Sequence, residues 1–187
     1  MRKESDNSTF NCIICKEDRE YYSKGSCEHN KVCNYCTMKS RMLYKDLRCP
    51  ICTSKLNHIF ILEKSDNISY NDLISQKDDY YIDDDFDSIG IYYTTISAQE
   101  EALKLKSYIC PIKSCEEKCF DNMDSLNKHL KERHKRFYCD VCLKEGKKFL
   151  SEMPLYNNLT LNDHILYGEF SQRGTLLTPP HPYCPVN

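Results

Sequence analysis

Eight sulfur and imidazole side chains stand in a fixed order within the first 52 positions: Cys12, Cys15, Cys27, His29, Cys33, Cys36, Cys49 and Cys52. The spacing is Cys-x2-Cys, eleven residues, Cys-x-His, three residues, Cys-x2-Cys, twelve residues, Cys-x2-Cys. A Cys-x2-Cys pair lets two thiolates from one tight turn reach a single tetrahedral zinc. One such pair says little, because short Cys pairs also serve redox chemistry and disulfides. Four ligand pairs in succession, with histidine in fourth place, constrain the fold strongly. A segment this short cannot hold together by hydrophobic burial alone. Structural zinc contributes roughly 10–16 kcal/mol of apparent binding free energy in small finger peptides, and that energy becomes folding energy.

Histidine as the fourth ligand is the order of a RING domain; a PHD finger places it fifth and a LIM domain third. In a RING the pairs cross over. Cys12, Cys15, Cys33 and Cys36 then share one zinc, and Cys27, His29, Cys49 and Cys52 the other. With four protein ligands each, both sites are structural and leave no position for water. Between the ligands, Cys36–Tyr44 lacks Gly and Pro, and Met38, Met42 and Leu43 can form one apolar face of a short helix. In RING ubiquitin ligases the residue after the first Cys and the Pro after the seventh ligand form the groove for the ubiquitin-conjugating enzyme. Those positions are Ile13 and Pro50, with Ile51 alongside. Many active RINGs also carry Arg or Lys directly after the last ligand. This chain has Thr53 there, with Lys55 two residues on.

The chain has 187 residues, with thirteen cysteines and six histidines, which favours several small modules over one ordinary domain. Charge is nearly balanced overall but segmented. Residues 1–62 carry 11 basic and 7 acidic side chains, 63–101 carry 2 and 11, and 102–148 carry 12 and 7. Two mildly basic Cys-rich regions therefore flank an acidic stretch. No secretory signal is read in the polar Met1–Asn11, and the longest apolar run, Ile59–Leu62, is far short of the ~20 residues of a membrane span. A cytosolic or nuclear setting is expected, no membrane partner, and in a reducing compartment the cysteines read as metal ligands rather than disulfides.

Residues 63–107, with Asp78, Asp79, Asp83, Asp84, Asp85 and Asp87, read as an acidic linker or a small subdomain. The alternation at Ile89–Tyr93 indicates some strand, and Gln99–Lys106 a helix. The second cluster, over 108–136, is Cys110-x4-Cys115, thirteen residues, His129-x4-His134, close to the Cys2His2 finger formula. Phe120 and Leu126 stand where such a finger has its small apolar core. Cys119 is spare. The third cluster, over 137–187, begins at Cys139-x2-Cys142; His164 follows 21 residues later, and the fourth ligand is His181 or Cys184, with His181 preferred. The expected fold class is small zinc-stabilised α+β modules. A tail (1–9) precedes a RING cross-brace domain (10–62), the acidic segment, a ββα finger, then a second, atypical finger and the start of an incomplete third. Two zinc ions are expected in the RING and one or two in the fingers.

These residues together resemble the RING and zinc-finger ubiquitin ligases that sense collided ribosomes. Cys33-Asn-Tyr-Cys36, Arg41-Met-Leu-Tyr-Lys-Asp46 and Cys49-Pro-Ile-Cys52 look like that family's RING. Phe137-Tyr-Cys-Asp-Val-Cys-Leu143, directly after His134, looks like its second finger, and Leu161 and His164 followed by His181-Pro-x-Cys184 are similar to the next segment. The RING alone would not identify the family. Relatives are longer, and Asn187 stands where a third finger's second Cys is expected, so a short or truncated version is expected.

The resemblance implies a cytoplasmic E3 ligase that uses no nucleophile of its own. It implies a partner conjugating enzyme carrying ubiquitin, and small-subunit ribosomal proteins as substrates. Ribosomal RNA would offer phosphates to Lys128, Lys131, Arg133, Lys135 and Arg136. Two other classes compete. A zinc scaffold without ligase activity draws support from Thr53. A DNA-binding regulator would read bases from Asn122, Ser125 and Lys128. It is disfavoured, because one finger covers only about 3 base pairs and the Lys135–Tyr138 linker lacks the tandem-finger pattern.

Overall fold

The computed structural model describes residues 11–170 and 174–181. The chain divides into two compact units, with the boundary between Lys104 and Leu105.

The first unit is built on a four-stranded sheet of order β2-β1-β3-β4. β1 (Tyr21–Gly25) pairs antiparallel with β2 (Val32–Cys33), which leads straight into α1 (Asn34–Met38) and a wider π-helical turn over Lys39–Leu43. β3 (Ile59–Glu63) pairs antiparallel with β1, setting Tyr22 opposite Leu62 and Lys24 opposite Phe60. Ile59, Phe60, Ile61 and Leu62 are all buried. Such an unbroken apolar run marks a strand covered on both faces. One face of β3 belongs to the RING, and the other needs a partner.

That partner is the acidic segment. α2 (Tyr70–Ser75) starts at Ser69, whose hydroxyl accepts from the Asp72 amide, an N-cap that satisfies one orphan donor. α3 (Phe86–Ile89) ends at Gly90 in the left-handed conformation (φ 60°), and β4 (Ile91–Tyr93) then runs parallel to β3. A Cβ on Gly90 would lie 1.9 Å from the Asn57 carbonyl oxygen. Glycine is needed there for both its φ and its bareness. α4 (Ile96–Lys106) follows, with Ala98 and Ala102 fully buried. Phe60, Leu62, Leu73 and Tyr92 form a core cluster, with the Phe60 and Tyr92 rings stacked at 4.9 Å. The carboxylates of Asp78, Asp79, Asp84, Asp85 and Asp87 stay in solvent, while Asp83 is buried and accepts from the Tyr93 hydroxyl at 2.9 Å. Residues 63–104 are thus the second half of the RING unit's core rather than a flexible linker.

In the second unit, β5 (Tyr108–Ile109) and β6 (Cys119–Phe120) form a short hairpin, followed by α5 (Met123–His129) and a π-helical turn over Leu130–His134. This is the ββα finger expected from the ligand spacing. The next module departs from that pattern: α6 (Asp140–Glu145) and α7 (Asn158–Tyr167) come first, and the hairpin of β7 (Glu169–Phe170) and β8 (Leu176–Thr178) comes after. Leu126, Leu130, Tyr138 and Met153 share one buried cluster, so the two modules have a common core. No helix of the described residues is long and apolar enough to cross a membrane.

Candidate metal centres

Of the RING's three Cys-x2-Cys turns, the two at Cys12–Cys15 and Cys49–Cys52 are built alike. In the first, the Lys16 amide donates to the Cys12 carbonyl at 2.8 Å and the Cys12 amide to the Glu17 carbonyl at 3.0 Å. In the second, the Thr53 amide donates to the Cys49 carbonyl at 2.8 Å and the Cys49 amide to the Ser54 carbonyl at 2.8 Å. Both turns place the residue after the second Cys in the left-handed region, Lys16 at φ 64° and Thr53 at φ 61°. Backbone amides also face the sulfurs, Cys33 N to Cys12 Sγ and Ile51 N to Cys49 Sγ, both at 3.4 Å. Amide dipoles of this kind stabilise thiolates.

Four clusters result: Cys12, Cys15, Cys33 and Cys36; Cys27, His29, Cys49 and Cys52; Cys110, Cys115, His129 and His134; Cys139, Cys142, His164 and His181. Within each, the donor atoms lie within 4.8 Å of one another. The first two are the crossed pairing of a RING. The fourth brings in His181; Cys184 lies outside the described residues.

The separations test the fit to zinc. Four donors around a tetrahedral ion with Zn–S near 2.3 Å and Zn–N near 2.0 Å stand roughly 3.3–3.8 Å apart. Here Cys15 Sγ is 3.8 Å from Cys33 Sγ, and Cys49 Sγ is 3.8 Å from His29 Nδ1. In the first finger Cys110 Sγ is 3.6 Å from His134 Nε2, and Cys115 Sγ is 3.3 Å from His129 Nε2. In the second, His181 Nε2 lies 3.2 Å from Cys139 Sγ, 3.3 Å from Cys142 Sγ and 3.0 Å from His164 Nε2. A sulfur pair at 3.8 Å is far beyond the ~2.05 Å of a disulfide. Sulfur and nitrogen donors without carboxylates, in closed sets of four, fit structural zinc and offer no open position for chemistry.

Electrostatics point the same way. A hydrogen bond from the Cys36 thiol draws Cys33 down to about 5, while Cys36 is raised by the same contact. Ser54 draws Cys52 down to about 6, and burial pushes Cys27 up to about 11. Each RING cluster thus pairs a ready thiolate with thiols that release protons as a metal enters. Burial lowers His134 and His164, which keeps both imidazoles neutral and free to donate a lone pair.

The outer contacts differ between the fingers. His129 Nδ1 meets Glu117 Oε2 at 3.0 Å, a carboxylate that orients the ligand ring. His164 Nδ1 is buried without a hydrogen-bond partner; the nearest carboxylate oxygen, on Glu169, stands 3.9 Å away. Tyr156 donates its hydroxyl to Glu169 and stacks on His164 at 4.6 Å.

The RING clusters are tied to the acidic segment by residues the ligand spacing does not reveal. The Glu28 carboxylate, between Cys27 and His29, accepts from the Tyr70 amide at 2.7 Å. Arg41 is 3 % exposed and donates to the carbonyls of Ile89 at 2.6 Å and Leu56 at 2.5 Å. Burial lowers the Arg41 pKa to about 10, so it remains a cation at neutral pH. Nothing in the sequence names its carbonyl partners.

Of the expected docking residues, Ile13 is half-buried against the first cluster, while Pro50 and Ile51 are exposed on the second turn. Lys128, Lys131, Arg133, Lys135 and Arg136 are all exposed. Asn122 caps α5 by accepting from the Ser125 amide at 2.9 Å, which engages the side chain that DNA reading would require.

Residues 7–94 match the model of the ZNF598 RING finger domain. The RING of this chain is thus similar to that of the ZNF598 family. The match ends beyond β4, so the family's domain includes the acidic segment through the fourth strand. Across 90 % of its length the chain is 30 % identical to the E3 ubiquitin-protein ligase hel2 of Schizosaccharomyces pombe, of which it covers 22 %. It is 28 % identical over 88 % of its length to HEL2 of Saccharomyces cerevisiae, covering 25 % of that protein. It is 27 % identical over 98 % of its length to the E3 ubiquitin-protein ligase ZNF598 of Danio rerio, covering 18 %. The chain therefore spans about a fifth to a quarter of these curated relatives. No solved structure matches it.

Proposed function

We propose that this chain is a RING-type E3 ubiquitin ligase that acts in the cytoplasm on stalled or collided ribosomes. It recruits a conjugating enzyme charged with ubiquitin and directs transfer to lysines of small-subunit ribosomal proteins. The observation that carries the reading is the crossed pair of four-donor clusters whose turns present Ile13 on one side and Pro50 and Ile51 on the other. The ubiquitin-ligase names of the relatives support it. Two zinc ions would sit in the RING clusters and two in the finger clusters, each as a structural brace.

The chain's part in the reaction is positional. The attacking group is a substrate lysine, and the thioester belongs to the conjugating enzyme. Holding the two in reach converts a bimolecular encounter into an effectively intramolecular one. The rigid turns carrying Ile13 and Pro50 hold the enzyme, and the finger unit selects the substrate.

The test combines zinc-loaded protein, a conjugating enzyme, ubiquitin and purified collided disomes, with an Ile13→Ala/Pro50→Ala double variant as control. Ubiquitin on small-subunit proteins, lost in the control, is the expected result. Autoubiquitination without ribosome labelling would retain the ligase and remove the ribosomal substrate. Silence from the parent protein at full zinc occupancy would leave a zinc scaffold.

A further inference from the structure

The two finger modules cannot swing independently. Only residues 135–138 separate His134 from Cys139. Lys135 turns the chain in the left-handed conformation (φ 52°), and Phe137 and Tyr156 exchange both backbone hydrogen bonds at 2.9 Å. Tyr138 is buried with Leu126 and Leu130 of the first finger. The fixed junction encloses a cleft of about 500 Å³, lined among others by Lys128, Lys131, Arg136, Phe137, Glu132 and Asp140.

This cleft divides the five candidate cations. Lys128, Lys131 and Arg136 line it; Arg133 and Lys135 do not. Among the described residues, none of the three lining cations makes an ion pair, so their charge is open to a ligand. The half-buried Phe137 ring is held by its paired backbone. Cations beside a fixed aromatic ring suit a ligand with phosphates and a flat base. The two carboxylates suit the amino groups of that base, since a carboxylate accepts hydrogen bonds and cannot donate them. An acidic peptide would satisfy the cations, but its carboxylates could not donate to Glu132 and Asp140 as a base amino group can. A duplex keeps its bases stacked and could not use Phe137.

We infer that this cleft binds single-stranded RNA, with one unstacked base against Phe137 and the flanking phosphates on Lys128, Lys131 and Arg136. The inference deepens the ribosomal reading above and rests on it for the source of the RNA.

The experiment measures anisotropy of a labelled oligocytidine and an oligoadenosine of about ten nucleotides, against the zinc-loaded full chain, with duplex RNA of about 16 base pairs and a polyglutamate peptide as competitors. Zinc content and circular dichroism are recorded for every variant. Binding of single strands is expected, with a log–log salt slope of about −2 for three phosphate contacts. Phe137→Leu should weaken it roughly tenfold, as loss of one stacked base does, and Phe137→Tyr should retain it. Lys128→Gln/Lys131→Gln/Arg136→Gln should flatten the salt slope, while Arg133→Gln/Lys135→Gln should leave most of it. Equal affinity for duplex, equal competition by polyglutamate, unchanged binding in Phe137→Leu, or equal loss in both cation variants would each overturn the assignment. Discharge of ubiquitin from the conjugating enzyme, measured on the same variants, keeps the two readings apart. Normal discharge with no RNA binding removes the cleft assignment alone. RNA binding without discharge removes the ligase alone.

Discussion

The RING unit and the finger unit use similar ligand sets on different foundations. In the RING unit the donors of each cluster come from distant positions, and a separate core of Phe60, Leu62, Leu73 and Tyr92 contains no metal ligand. In the finger unit the shared core includes the ligand Cys110 and has only four other buried members, Leu126, Leu130, Tyr138 and Met153. Zinc is therefore a brace in the first unit and the centre of the fold in the second.

The largest effect should come from metal removal, since each structural site is worth roughly 10–16 kcal/mol of folding energy. Titration with a chelator should strip amide-exchange protection from Leu126 and Leu130 before it does so at Phe60 and Leu62. Protection at the four positions lost together would show that the RING unit has no independent footing. Acid acts in the same direction, because protons compete for the cysteines and histidines that hold the metal.

A smaller effect isolates the non-metal footing. Arg41 ties the RING's helix to the Leu56 and Ile89 carbonyls. Arg41→Met fills similar space but leaves buried carbonyls unsatisfied, at about 1–3 kcal/mol each. A loss of roughly 2–4 kcal/mol is expected in urea unfolding of the first unit, with the finger unit unchanged. A loss below about 1 kcal/mol would mean that water replaces the guanidinium and the junction is loose.

How much of this was legible in the sequence follows from the same contrast. Metal clusters are written in short spacings, so three donor sets could be grouped from the sequence; for the fourth, His181 was preferred but Cys184 stood beside it as a candidate. The first finger's Phe120 and Leu126 were legible for the same reason. The role of residues 63–104 was not. Its carboxylates dominate the composition, while its buried apolar residues, Leu73, Ile89, Ile91, Tyr92, Tyr93, Ala98 and Ala102, are irregularly spaced. The strand at Ile91–Tyr93 could be read locally. Its parallel pairing with Ile59–Ile61 could not, because nothing periodic connects strands separated by about thirty residues of helix and loop. The hairpin behind α7 was hidden in the same way, by a module order that no ligand spacing encodes.

The smallest effect concerns the two matching turns at Cys12–Cys15 and Cys49–Cys52, where one residue distinguishes equivalent backbones. Lys16 and Thr53 share the left-handed conformation, but Thr53 is β-branched, and that conformation costs L-residues roughly 1–2 kcal/mol. Asparagine tolerates it far better. Thr53→Asn should therefore raise the stability of the second RING site by about 1 kcal/mol, seen as tighter zinc retention against a chelator. Thr53→Arg removes the branch as well, and also places a cation where many active RINGs carry one. If the charge matters, ubiquitin discharge should rise severalfold with arginine and stay near the parent value with asparagine. If both variants rise equally, the limit set by Thr53 is strain in the turn that carries Pro50 and Ile51, and the missing cation has no part in it.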